Sequence, residues 1–303
     1  MTPVTSFDPS TAVFLNGLNQ IQRSSTQAQL ELTSDLKINS VSDSPYQVPE
    51  LMRIHQQLDQ AQQLNSNLTS VQTEVNTGES SLQSAVTLME QAETLATQGQ
   101  SSFDSATTRQ TVAGQLGDVL TEMVNLANTT SNGRFIFSGD SDQTQPYSID
   151  LTQTNPVSAY AGSASTREIQ SPDGSTIPVA LTAQDIFDSS DSTTNVFQSI
   201  NNAREALLNN DQTGIDSAIT TMQSSDTYLN TQLAFYGQTQ DQITNGLSFG
   251  SNLVTQLQTQ LAGVQDADLT QAITQMTQAQ TDQQAALQSE AQIPRSSLFQ
   301  YLG

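Results

Sequence analysis

The chain has 303 residues, of which only 35% are hydrophobic and 13% charged, and a formal charge of −22. That acidity excludes a surface for nucleic acid or anionic membranes, both of which are bound through Lys and Arg. Cysteine is absent, so there is neither a disulfide framework nor thiolate chemistry.

Residues 1–40 read as an N-terminal helix, with Val13, Leu18, Ile21, Leu30, Leu32 and Leu36 spread irregularly among Gln, Ser and Thr. Asn39–Pro45 gathers turn formers and marks a joint. A long helix is predicted from about Pro49 or Glu50, where Pro suits the first turn, to about Gly99. From Ala61 onward Leu68, Val75, Leu82, Met89 and Ala96 recur every seven residues, with Leu64, Val71, Ala85 and Ala92 as companions. At about 1.5 Å per residue this helix is on the order of 70 Å long. After a break at 99–104, Val112, Leu116, Val119, Met123 and Leu126 predict a shorter helix over 107–129.

Between about 131 and 191 the texture changes. Phe135-Ile-Phe137, Pro146-Tyr147, Val157, Tyr160, the turn Pro172-Asp-Gly174 and Ile177–Leu181 read as short strands and turns. Helix returns at 195–209. A second long helix over 211–264 carries Ile215, Met222, Leu229, Tyr236, Ile243, Leu257 and Val264 on one seven-residue grid. Its second row is expected four residues later, at Ile219, Leu233, Leu247, Val254 and Leu261. A last amphipathic helix over 268–292 carries Leu269, Ile273, Met276, Ala279, Ala286 and Leu287, and Pro294 ends it. Two sustained heptad seams, one early and one late, predict helices that pair side by side. The expected fold is mainly α: an elongated antiparallel helical rod built from both ends of the chain, with a small β-rich insertion.

No residue set advertises catalysis or a metal. His55 is the only histidine and reads as a solvated helix residue. Asp140 and Asp142 make only half of a calcium loop, and Asp268 reads as a helix cap rather than one of an acid/base pair with Asp266. Arg134 reads equally as a partner of an acidic neighbour at the start of the insertion and as a plain surface arginine. No cofactor is expected. The first residues lack a basic stretch followed by an apolar one, so no Sec-type signal peptide is expected, nor is any run long enough to insert in a membrane.

Several of these stretches carry a family resemblance. Leu36-Lys-Ile-Asn-Ser40 with Asp43 and Pro45, Leu95-Ala-Thr-Gln98, Gln265-Asp-Ala-Asp268 and Gln284-Ala-Ala-Leu287 with Ile293-Pro294 resemble the terminal signatures of bacterial flagellins and their relatives at the hook–filament junction. The resemblance covers about 1–145 and 195–303. Asn132-Gly-Arg-Phe-Ile-Phe-Ser-Gly139, Gln143–Tyr147, Gln280–Leu287 and Ser297–Leu302 are most similar to the junction members, the third hook-associated proteins. Ile38-Asn39-Ser40 and Ala291–Pro294 lean toward filament flagellin. The chain departs from the family in having Ser44 where a second aspartate is usual, and Glu93 where many flagellins have an arginine read by immune receptors.

The resemblance implies a structural subunit joining hook to filament, with a filament flagellin as the alternative, and no enzymatic role. It implies an inner assembly domain from 1–45 and 266–303, a rod domain from 46–145 and 193–265, and an outer β-rich domain over 146–192. Contacts between terminal helices are expected from Leu18, Ile21, Leu30, Met276, Leu287, Leu298 and Leu302. Expected partners are the hook-side junction protein, flagellin, further copies of the chain and an export chaperone. The expected location is the extracellular flagellum, reached by type III export as an unfolded chain.

Overall fold

The structure is a computed structural model that describes residues 9–101 and 105–292. Its elements follow in the order α1 (Pro9–Ser34), α2 (Val48–Gly99), α3 (Ala106–Ala127), β1 (Thr130–Ser131), β2 (Arg134–Phe135), β3 (Glu168–Gln170) and β4 (Thr176–Pro178). They continue with α4 (Ala183–Phe187), α5 (Val196–Leu208), α6 (Gln212–Gln265) and α7 (Leu269–Gln292). The fold is mainly α, and among the described residues the regular β-structure amounts to two antiparallel two-stranded hairpins, β1–β2 and β3–β4. Two compact units are formed, one by residues 60–253 and one by 1–59 with 254–303.

In the unit of residues 60–253, the facing stretches of α2 and α6 run antiparallel. Gly246 of α6 lies against Leu68, Gly78 of α2 lies against the ring of Tyr236, and the Gln100 amide donates to the Asp216 carboxylate at 2.7 Å. The row Leu68, Val75, Leu82, Met89 and Ala96 is buried throughout, as is Ile215, Met222, Leu229, Tyr236 and Ile243 on α6. This is the seam that the seven-residue spacing predicts.

The second row of α6 differs from expectation. Ala218, Ser225, Thr239 and Gly246, three residues after the first row rather than four, are buried. Ile219, Leu233 and Leu247 are half-buried at the flank. Close helix packing explains the difference. A Cβ on Gly246 would lie 3.2 Å from Leu68 Cδ1, so small residues let the helices approach and the larger ones flank the contact.

From Val75 onward the buried stripe of α2 widens. Ala85, Leu88, Ala92 and Leu95 join the same core as Val112, Leu116, Val119 and Met123 of α3 and Ile200, Ala203 and Leu207 of α5. Helix α3 packs along α5. Its start is fixed by Ser105, whose hydroxyl accepts from Thr108 N–H at 3.2 Å. The end of α2 is fixed by Arg109, which is buried. Its Nε donates to the Gly99 carbonyl at 3.1 Å, and its Nη2 to the Ser101 carbonyl at 3.2 Å and the Gln212 side chain at 2.9 Å. A guanidinium at a helix C-terminus satisfies orphan carbonyls and complements the helix dipole.

The insertion is built on an aromatic cluster. Phe137 makes edge contacts with Phe187 and Tyr236, both at 6.2 Å between ring centres, while Phe197 stacks on Phe187 at 5.7 Å and meets Tyr147 edge-on at 5.1 Å. Burying each such ring contributes on the order of 2–3 kcal/mol. The motif Asn132–Gly139 is explained by backbone geometry. Asn132 and Gly133 have φ of 52° and 76°, the turn that joins β1 to β2. Gly139 has φ 60°, and a Cβ there would collide with the Ser163 carbonyl oxygen. Asn128 then clamps the chain, donating to the Tyr147 carbonyl at 2.9 Å and accepting from Tyr147 N–H at 3.0 Å. The insertion docks on the long helices through the ion pair of Arg167 with buried Glu74 and through Leu181 N–H, which donates to Tyr236 Oη at 3.3 Å.

Candidate assembly surface

The other unit brings the two ends of the chain together. Helix α1 packs along α7. The end of α1 and the start of α7 are tied by an antiparallel bridge between Leu36 and Asp266. Lys37 N–H donates to the Gln265 carbonyl at 2.7 Å and Ala267 N–H to the Asp35 carbonyl at 3.0 Å. Asp35 takes the left-handed backbone conformation, φ 58°, that lets α1 turn out into this link. The helices are therefore antiparallel. Asp268 caps α7, accepting from Thr270 N–H at 2.9 Å and Gln271 N–H at 3.1 Å, so the cap assignment holds.

The seam between α1 and α7 is a heptad row that apolar residues alone do not reveal. On α1 it comprises Thr11, Phe14, Leu18, Ile21, Ser25, Ala28 and Leu32, all covered to some degree. On α7 it comprises Ala272, Met276, Ala279, Gln283, Ala286 and Glu290. Only Ala28, Ala272 and Ala279 of these are fully buried. Below the seam Ile38, Ile54, Leu58 and Leu257 are buried. The irregular spacing of apolar residues in α1 thus conceals a regular spacing of covered ones, because Thr11, Ser25 and Ala28 occupy three of the seven positions.

The residues expected to make terminal contacts divide accordingly. Leu18, Ile21 and Met276 lie half-buried in the α1–α7 seam. Leu30 and Leu287 do not: they are 51% exposed each, and they face outward with Val13, Leu15, Leu269 and Ile273. Leu298 and Leu302 lie outside the described residues. Each helix also presents an outer face. On α1 this is Asn16, Asn19, Arg23, Thr26 and Leu30; on α7 it is Ile273, Thr277, Gln280, Gln284, Leu287 and Ala291, and every one of these residues is exposed.

The joint after α1 is ordered by Asp43, whose Oδ2 accepts from the N–H groups of Asn39 at 2.9 Å and Ser40 at 2.7 Å. Those bonds, with the Ser40 hydroxyl, hold the Asp43 carboxyl below its ordinary pKa. Ser44 is buried and donates to the Gln47 side chain at 2.9 Å. This closed turn leaves Val41, Tyr46 and Met52 at the surface.

Arg134 pairs with Asp142 at 3.4 Å on an exposed loop, and His55 is exposed on α2. Burial, with Asp185 nearby, pushes the Tyr160 hydroxyl up to about 12, and it donates to the Phe137 carbonyl at 3.0 Å. Glu93 and Asp226 are both raised, chiefly by desolvation and then by neighbouring carboxylates. Among the described residues, no group of three His, Cys, Asp or Glu is placed to hold a metal ion. No helix among them is long and apolar enough to cross a membrane.

Long helices drawn from both halves of the chain, a small insertion and a terminal helix pair make up the fold, and it has counterparts among known proteins. Residues 9–142 match the model of the bacterial flagellin N-terminal helical region. The structure resembles a flagellar hook-associated protein of Vibrio parahaemolyticus with a TM-score of 0.66 and 17% identity, covering 74% of this chain and 100% of that one. It resembles Bacillus cereus FlgL with a TM-score of 0.56 and 19% identity, covering 71% of this chain and 100% of the other. Xanthomonas campestris FlgL gives 0.50 and 18%, over 69% and 97% of the two chains. No curated protein matches the sequence.

Proposed function

We propose that the chain is a structural subunit of the bacterial flagellum that assembles at the hook–filament junction, outside the cell. The observation that carries this reading is the terminal unit: both chain ends meet in one helix pair whose second faces are exposed and partly apolar. Such faces gain stability when a neighbouring subunit covers them. The likeness to a flagellar hook-associated protein of Vibrio parahaemolyticus and to FlgL of two other bacteria supports the placement. The outward residues Leu30 and Leu287 are assigned to contacts between subunits, and Leu18, Ile21 and Met276 to the helix pair that presents them. On this reading 1–45 and 266–303 form the inner assembly domain, 46–145 with 193–265 the rod, and 146–192 the outer domain. The chain acts by packing and not by catalysis. Its partners are further copies of itself, the hook-side junction protein and flagellin, with an export chaperone before assembly.

The experiment is seeded assembly of the purified protein on isolated hooks, followed by negative-stain electron microscopy. A short layer on hook ends, with no growth beyond it, supports the junction role. Long filaments would instead make the chain a flagellin, the reading that Ile38-Asn39-Ser40 and Ala291–Pro294 favour.

A further inference from the structure

We propose that Asn132 is a site of spontaneous self-modification, where the chain's own backbone converts the side-chain amide to an acid and leaves an isoaspartyl link in the β1–β2 turn. Asn-Gly pairs carry this chemistry because the nitrogen after the asparagine can reach the side-chain carbonyl carbon, and glycine has no Cβ to obstruct the approach. The Gly133 nitrogen gives up its proton and bonds to Asn132 Cγ, and ammonia leaves. Water then opens the five-membered imide at either carbonyl, giving aspartate or isoaspartate. Water is the only co-reactant.

The chain has three Asn-Gly pairs, at 16–17, 132–133 and 245–246, and the structure separates them. Asn16 lies within α1 and Asn245 within α6, where the next N–H belongs to the helix ladder, and Gly246 is buried as well. An imide forms there only after the helix opens locally. Asn132 and Gly133 are instead the two exposed residues of a turn between paired strands. Among the described residues, neither the Asn132 side chain nor the Gly133 N–H has a hydrogen-bond partner. A Cβ on Gly133 would meet nothing within 4 Å, so the turn has room to deform.

The Asp173-Gly174 turn is the contrast. Gly174 N–H donates to the Ser171 carbonyl at 2.9 Å, and Asp173 Oδ1 accepts from Ser175 N–H at 3.0 Å and from its hydroxyl at 2.7 Å. The Ser175 bonds hold the Asp173 carboxyl below its ordinary pKa, and an ionised carboxylate resists attack by the nitrogen.

The turn at Asn132 is tied closely to the core. Thr130 pairs with Phe135, Ile136 N–H donates to the Thr129 carbonyl at 3.1 Å, and Phe137 is buried in the aromatic cluster. An isoaspartyl link routes the backbone through the former side-chain carbons, one atom longer than a two-residue turn accommodates. It shifts Phe135–Phe137 against 129–131 and loosens the insertion. The aspartate product keeps the backbone and tolerates the left-handed φ. The modification thus ages a subunit from the turn inward.

The test is incubation of the folded full-length chain at mildly alkaline pH, beside a sample in urea. Tryptic mass spectrometry locates amide loss, and an isoaspartyl methyltransferase counts isoaspartate. The proposal expects Asn132 to convert faster than Asn16 and about tenfold or more faster than Asn245, with the differences collapsing in urea. Equal rates at the three pairs in the folded chain, or conversion led by either helical pair, would overturn it. Chains enriched in isoaspartate should then melt several degrees below N132D, and N132D should melt like the wild type. An isoaspartyl form as stable as N132D would overturn the loosening of the insertion.

Discussion

The two compact units are held by different chemistry. The unit of residues 60–253 buries Phe137, Tyr147, Phe187, Tyr236, Leu68, Leu82 and Met89 completely, and closes its helix ends with Arg109 and Ser105. The unit formed by 1–59 and 254–303 buries Ala28, Ile38, Ile54, Leu58, Leu257, Ala272 and Ala279, only half-covers most of the α1–α7 seam, and leaves Leu30, Ile273 and Leu287 in water. Apolar burial scales with area, so the first unit has ample stabilisation and the second is marginal. A marginal unit with spare faces is suited to completion by a neighbour, whereas a filled core needs none.

Substitutions can break or sharpen this contrast. The largest effect is expected from Phe137→Ala, which removes a ring from the centre of the aromatic cluster; it should destabilise the 60–253 unit by about 3–5 kcal/mol in urea unfolding. Gly139→Ala comes next, at about 2–3 kcal/mol, because its φ of 60° and the Ser163 carbonyl both oppose a Cβ. Leu18→Ala should cost only about 1 kcal/mol, since the side chain is half-buried. Its effect should appear as faster amide exchange in α1 and α7, with the unfolding midpoint of the larger unit unchanged.

The smallest effect concerns Glu93 and Asp226. Their folded pKa values are raised, by burial first and by neighbouring carboxylates second. Groups shifted this way contribute stability that is fully present below their unfolded pKa and is lost as pH rises through the folded value. The 60–253 unit should therefore gain slightly on acidification from neutral pH toward the ordinary carboxylate range. Glu93→Gln should flatten that gain and raise stability at pH 7 by a few tenths of a kcal/mol. Thermal unfolding across pH checks both the sign and the size.

The helices were largely legible because heptads of Leu, Val and Met mark a seam wherever the buried residue is also apolar. The first rows of α2 and α6 satisfy that condition. The second row of α6 does not, since Ala218, Ser225, Thr239 and Gly246 are buried for their size, and hydropathy pointed to the larger flanking residues instead. The α1–α7 seam was hidden for the same reason. Apolar character picked out Leu30 and Leu287 but not which way they face, because small and polar residues fill much of the seam and leave these leucines on the outer side. Arg109 gave only a faint signal, a lone cation opening an amphipathic helix after a glycine break. The Asn132–Gly139 motif was legible as a pattern, and its reasons, two left-handed turn residues and a backbone contact at Gly139, required the tertiary structure.

Hydrogen–deuterium exchange with mass spectrometry, on the free protein and on protein assembled at hooks, tests the central claim most directly. The account predicts rapid exchange of α1 and α7 in the free chain, slow exchange of α3 and the 60–99 part of α2, and strong protection of α1 and α7 on assembly. Terminal helices as protected as α3 in the free chain, or protection gained chiefly within 60–253, would contradict it.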